Sequence, residues 1–289
     1  MIGRQGTGAR SEREGGMTGR IGTHRAWAVN CSILFTDLPL QERPAAAKDA
    51  GFDAVEFWWP WPGVPVPTAS EEDAFCQAVE DAGVRLIGLN LYAGDMPAGE
   101  RGVLSDPARA AEFRASLDVT ARIAERTGVR MFNALYGQRL DGVAASEQDR
   151  VATRNLAHAA REVGAFGGTL LIEPLARGLN GAYPLETAAD AIEVVQRARA
   201  AGAANVRFLL DTFHLVSNGD DVEGAARRYA ADLGHVQIAD APGRGRPGTG
   251  GIDFGALFAL LDEIGYTGRI ALEYVDPRPD FAWMEDHRA

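Results

Sequence analysis

From Arg25 onward the chain alternates short apolar runs with longer segments in which apolar residues recur at helical spacing. The runs are AWAVNCSILF (26–35), DAVEFWW (53–59), VRLIGLNLY (84–92), VRMFNALY (129–136), GTLLIEPL (168–175), VRFLLDTF (206–213), GHVQIAD (234–240) and RIALEYV (269–275). Near-continuous apolar runs of this length suit strands buried on both faces, as in a parallel sheet. The segments between them carry helix punctuation. Ser70 before EEDAFCQAVEDAG reads as an N-cap and Gly83 as a left-handed C-cap. Asp106-Pro107 opens ARAAEFRASLDVTARIAERTG, with Gly128 at its end. LQERPAAAKDAG, SEQDRVATRNLAHAAREVG, LETAADAIEVVQRARAAG, EGAARRYAADLG and GALFALLDEIG complete the helical set. Each returns the chain to the next strand by the crossover that parallel pairing requires.

Eight strands alternating with helices predict an α/β fold, a single (β/α)8 TIM barrel, with its active site where the strands end. A doubly wound open sheet would place a glycine-rich phosphate turn after an early strand. GTGAR follows no strand, and GRGRPGTGG follows the seventh and lacks a GKS/T ending. Residues 1–24 are glycine- and charge-rich without apolar periodicity, so they read as a flexible leader, with Met17 an alternative start. The barrel is expected over 25–289, including a short C-terminal tail.

Composition narrows the function classes. Apolar residues make up 46% and charged residues 24% of the 289, as in ordinary globular domains. A net charge of −11 disfavours a nucleic-acid partner, which needs a basic stripe. No run approaches the ~20 apolar residues of a membrane span, and no apolar signal-peptide core is present. Cys31 and Cys76 are too few for a disulfide framework or a zinc ribbon, so a cytoplasmic protein is expected. Homo-oligomerisation stays open.

Four consecutive late strands end on a polar side chain: Glu173 in LLIEP, Asp211 in LLDTF, Gln237 in HVQIAD and Glu273 in IALEY. Side chains alternate along a strand, so all four can point into the barrel mouth together. Three carboxylates around one axis repel unless a cation sits among them. Carboxylate and amide oxygens suit a hard or borderline divalent ion, Mg²⁺ or Mn²⁺, better than zinc. Glu173 and Glu273 could then flank a metal-chelated α-hydroxycarbonyl and pass a proton through an enediol.

Around this centre the readings branch. His214 is a candidate substrate donor or polariser, or else a loop histidine capping a helix. His235 is expected inward, below Gln237. Glu56 either faces the mouth, orienting substrate or balancing charge, or forms an ion pair in the barrel core. Trp58, Trp59 and Trp61 either wall a pocket or pack the core. Arg244 and Arg246 in a Pro/Gly-stiffened loop, and Arg101 in GERG, are the cations available to meet an anionic substrate. Asp240 lies on the alternate face of its strand and is expected to brace that loop.

The stretches NCSILFTDLPLQERPAAAKDAGFDAVEF, NLYAGDMPAGERG, LIEPL, LLDTFH and HVQIADAPGRGRPGTGGIDF with IALEY resemble the hydroxypyruvate isomerase family of the xylose isomerase-like barrels, from about Arg25 to Asp276. The resemblance implies isomerisation of hydroxypyruvate to tartronate semialdehyde, with Glu173 and Glu273 as the acid-base pair. It implies divalent-metal ligands at Glu173, Asp211, Gln237 and Glu273, and substrate contacts from His214 and Arg244. The family often has asparagine where Ala176 stands and small residues where Tyr136 stands, and the second strand tip is unusually rich in tryptophan. These departures are expected on the rim, where they would touch substrate size. A 2-oxo-tetronate isomerase or a ketose 3-epimerase shares the chemistry. A metal-dependent hydrolase or endonuclease on the same barrel would want more histidines and a basic groove.

Overall fold

The structure is a computed structural model that describes residues 26–287; the leader expected over residues 1–24 lies outside the described residues. Its strands are β1 (Trp27–Asn30), β2 (Ala54–Phe57), β3 (Arg85–Asn90), β4 (Met131–Asn133), β5 (Thr169–Ile172), β6 (Val206–Asp211), β7 (Leu233–Ile238) and β8 (Ile270–Leu272). They pair in chain order, all parallel, and β8 closes on β1 as a barrel. The helices are α1 (Arg43–Asp49), α2 (Ala69–Ala82), α3 (Ala110–Thr127), α4 (Ala145–Gly164), α5 (Ala188–Ala200), α6 (Thr212–Ser217), α7 (Val222–Arg228) and α8 (Phe254–Glu263). The fold is the expected single (β/α)8 TIM barrel.

Strand alternation sorts the apolar residues into two sets. Val29, Val55, Phe57, Ile270 and Leu272 join the large core between barrel and helices, whereas Ala28, Ala54 and Ala271 form a separate small layer with Ile87. The residues two places further along those strands are Asn30, Glu56 and Glu273. Alternation therefore puts polar groups directly above an alanine layer inside the barrel. On the outside, α4 buries Val151, Ala152, Leu156, Ala159, Ala160 and Val163, the helical stripe that its sequence shows.

Helix boundaries differ from the expectation where side-chain capping decides them. Thr68, not Ser70, caps α2: its hydroxyl accepts the Glu71 N–H while the Glu71 carboxylate accepts the Thr68 N–H. Ser70 is an exposed residue in the first turn of α2. Gly83 and Gly128 close α2 and α3 in the left-handed conformation, as expected. The apolar run 206–213 leaves the strand at Asp211 and continues as α6, because the Asp211 carboxylate caps that helix by accepting the His214 N–H.

Thr68→Ala removes the hydroxyl half of the capping box, leaving the backbone N–H to Glu71, and should destabilise the protein by about 1 kcal/mol, while Ser70→Ala should stay within about 0.5 kcal/mol of wild type. Urea unfolding of the two variants checks the assignment.

Candidate active site

The barrel's carboxyl end gathers the polar strand tips. Glu173 follows β5, Asp211 ends β6, Gln237 lies near the end of β7 and Glu273 follows β8. Strand register sets Asp211 opposite Gln237, and Gln237 opposite Ala271. All four side chains are buried, with Asp211 at 0% exposure. They differ in how their oxygens are satisfied. Glu173 accepts the Asn133 amide at 2.6 Å. Glu273 accepts the Asn30 amide at 2.8 Å and the Trp58 indole N–H at 2.9 Å on Oε1, and the Arg244 guanidinium at 2.8 Å on Oε2.

Asp211 Oδ1 is committed to the His214 N–H at 3.0 Å. Asp211 Oδ2 and Gln237 Oε1 are buried and accept no hydrogen bond from the described residues. An unsatisfied buried acceptor costs about 1–3 kcal/mol; Asp211 Oδ2 has only the Arg244 guanidinium, at 3.7 Å and beyond hydrogen-bond reach, so two such oxygens at adjacent strand tips leave room for a closer electropositive partner. Glu173 and Asp211 also each bring a carboxylate oxygen within 4.8 Å of the other and of a His214 ring nitrogen. An oxygen-rich, carboxylate-dominated donor set of this kind fits a divalent cation.

Electrostatics follow from burial. Burial, with Asp211 beside it, pushes the Glu173 carboxyl up to about 8. Burial likewise holds Glu273 well above the usual carboxylate range, against the opposing pull of Arg244. Burial pushes the His214 imidazole down to about 3, so the ring is neutral at neutral pH. His214 Nδ1 accepts the Ala176 N–H at 3.0 Å. The single ring proton therefore sits on Nε2, 3.7 Å from Glu173 Oε1, where it is a donor.

Glu173, Glu273 and His214 open onto a cleft of about 460 Å³ whose wall also includes Trp58, Arg101 and Arg244; Asp211 and Gln237 are not on that wall, and Gln237 borders a small space beneath it together with Glu56. Arg244 sits at φ 55, a left-handed backbone in the stiff loop after β7. Its guanidinium lies 3.7 Å from Asp211 Oδ2 and stacks 5.3 Å from the Phe213 ring centre. Arg101 is anchored by the Asn180 side chain at 2.7 Å and the Met96 carbonyl at 2.9 Å. Asp240 braces the same loop, accepting the N–H groups of Ala241, Gly248, Gly250 and Ile252.

Three expectations need correction. Glu56 is not on the cleft wall: it sits deeper in the barrel, accepting the Gln237 amide at 3.0 Å with His235 Nε2 at 2.5 Å, the core placement of the two alternatives. A register shift between Val55 and Glu56 in the β2–β3 pairing accompanies that placement. Tyr136 is not a rim residue; it is buried and its hydroxyl donates to Asp149 at 2.6 Å. Arg246 is exposed and does not line the cleft. Sequence reasoning missed Asn30 and Asn133, which hold the two glutamates, and missed Trp58 as a donor. The signal was present, because β1, β3 and β4 each end on asparagine: Asn30, Asn90 and Asn133.

The profile of the family described as Xylose isomerase-like TIM barrel matches residues 44–289. The chain belongs to this family. A Streptomyces coelicolor protein whose name marks it as a candidate hydroxypyruvate isomerase is 51% identical over 262 residues, covering 89% of this chain and 94% of the relative. A 2-oxo-tetronate isomerase of Cupriavidus necator is 33% identical over 254 residues, covering 86% and 92%. The crystal structure of AP endonuclease, family 2, from Brucella melitensis superposes with a TM-score of 0.81 at 28% identity, covering 92% of this chain and all of that one. This xylose isomerase-like barrel is accordingly an enzyme, an isomerase of the aldose–ketose type. Among its described residues no helix is long and apolar enough to cross a membrane.

Between pH 6.5 and about 8 the buried Glu173 binds a proton that the unfolded chain has already released, so folding stability falls as pH rises through that window. His214 acts in the opposite sense only below 6.5, where the unfolded chain takes up a proton that the folded ring refuses. In chelated protein the thermal midpoint should therefore drop from pH 6.5 to 8, and Glu173→Gln should lessen the drop in parallel melts, the raised Glu273 acting in the same sense.

Proposed function

We propose that this isomerase interconverts hydroxypyruvate and tartronate semialdehyde by proton transfer between Glu173 and Glu273, at a Mg²⁺ or Mn²⁺ ion held by Glu173, Asp211, Gln237 and Glu273. The observation that carries the reading is a pair of buried glutamates on one cleft, on strands β5 and β8, with two unsatisfied oxygens between them at the tips of β6 and β7. A bound divalent ion supplies Lewis-acid polarisation of the substrate carbonyl and offsets negative charge that develops there.

One glutamate takes a proton from C3 of hydroxypyruvate, and the electron pair of that C–H bond becomes the C2–C3 double bond of the enediol. The other glutamate delivers a proton to C2. The first glutamate passes the proton it took to O2 and the second takes the proton of O3, so each carboxylate returns to its starting state and the protons balance. Asn133 orients Glu173, and Asn30 and Trp58 orient Glu273. His214 keeps its proton on Nε2 and is placed to donate to a substrate oxygen, which leaves Gln237, rather than His214, as the neutral ligand. Arg244 and Arg101 on the wall are the cations for the substrate carboxylate.

A second reading, isomerisation of a 2-oxo-tetronate, is favoured by the cleft volume of about 460 Å³, which leaves room beyond a three-carbon acid. An endonuclease reading is opposed by the net charge of −11 and by the acidic mouth.

Purified protein offered hydroxypyruvate, 2-oxo-tetronate and free ketoses, with Mn²⁺ or Mg²⁺ and after chelation, should turn over the first and lose activity with the metal. Glu273→Gln should lower kcat by about 10²–10⁴, whereas Arg244→Met should chiefly raise KM. Full activity in chelator, or a Glu273→Gln variant matching wild type, would reject the mechanism. Preference for the four-carbon acid would select the second reading.

A further inference from the structure

Beneath the cleft a chain of buried groups runs across the barrel from β7 to β2 and back. Gln237 Nε2 donates to Glu56 Oε2 at 3.0 Å, and His235 Nε2 lies 2.5 Å from Glu56 Oε1. We propose that Glu56 is a positioning residue for the metal centre, fixing the Gln237 amide so that its oxygen, and not its nitrogen, is presented to the ion. The inference rests on the ligand set proposed above.

An amide is nearly symmetric in shape, yet one end accepts and the other donates. A cation is compatible with the oxygen alone. Glu56, as a carboxylate, can only accept, so it captures the NH₂ end and turns the oxygen away from itself. That oxygen is the atom that accepts no hydrogen bond from the described residues. Gln237 and Glu56 are both buried, and the space around them, about 10 Å³, is no larger than one water needs. At most a single water could share that space with the carboxylate.

Glu56 is itself held in place from two sides. His235 meets its other oxygen, and β3 carries Gly88 opposite it, where a Cβ would lie 2.8 Å from Glu56 Oε1. The glycine makes the room that the carboxylate occupies. The set resembles the arrangement in which an outer carboxylate orients a metal-bound side chain, where loss of the outer group lowers metal affinity by about 10–100-fold.

The test is Mn²⁺ affinity of the full-length protein, measured by calorimetry without substrate, in a double-mutant cycle with Gln237→Ala. Glu56→Leu should weaken Mn²⁺ binding about 10–100-fold. Glu56→Gln, whose carbonyl still accepts the Gln237 amide, should bind within about threefold of wild type even though the charge is gone. In the Gln237→Ala background Glu56→Leu should weaken binding no further, a result that a merely structural or charge role would not give. Should Glu56→Leu fail to fold, Gly88→Ala displaces the carboxylate with every charge in place, and the same dependence on Gln237 is expected. Wild-type affinity in both Glu56→Leu and Gly88→Ala, or equal losses with and without Gln237, would overturn the inference and leave the metal reading intact. A wild-type protein that binds no Mn²⁺ overturns both.

Discussion

Burying Glu56, Glu173, Asp211 and Glu273 together at one end of a barrel is the constraint around which the site is organised. A buried charge costs several kcal/mol unless it is paired and hydrogen-bonded. Three of the four have partners, Glu56 through Gln237 with His235 Nε2 2.5 Å away, Glu173 through Asn133, and Glu273 through Asn30, Trp58 and Arg244, yet burial still holds the Glu173 and Glu273 carboxyls above the ordinary range. Asp211 spends one oxygen on capping α6 and leaves the other without a hydrogen bond, 3.7 Å from the Arg244 guanidinium. Compensation is therefore incomplete at the point where strand register joins Asp211 to Gln237, and a divalent ion would complete it.

The same residues that position the site also terminate the elements that carry it. Asp211 ends β6, starts α6 and thereby sets His214 on the cleft wall. Ala176, just beyond the Glu-Pro-Leu stretch, fixes the imidazole tautomer by donating its backbone N–H to Nδ1. Arg244 reaches Glu273 from a loop tied down by Asp240 and held in a left-handed turn. Geometry of this kind makes the strand tips rigid, so a reacting group is held rather than recruited.

Much of this was legible because both signals are local. Near-continuous apolar runs such as LLIEP and HVQIAD mark doubly buried strands, and a carboxylate or amide ending such a run has few places to point except the barrel mouth. Less legible was anything decided across the barrel. The depth of Glu56 depends on its register with β3 and on room at Gly88, a residue 32 positions away, neither of which β2 alone reveals. Tyr136 turned to Asp149 because α4 offers an acceptor there. Thr68 caps α2 through Glu71, although Asp73 stands at the same offset from Ser70, so the residue types alone did not choose between the two. The asparagines of β1 and β4 obey the same strand-tip rule, but their role is to hold Glu273 and Glu173, which depends on contacts across the barrel.

The central claim is that two glutamates move a proton through an enediol. It is tested most directly by running the wild-type reaction on hydroxypyruvate in D₂O and reading the product carbon by NMR. Two exchanging carboxylates should deliver solvent deuterium to C2 of tartronate semialdehyde, and both the product and its label should vanish in the Glu173→Gln, Glu273→Gln double variant. Conversion with the original hydrogen fully retained would show direct hydride transfer and contradict the account.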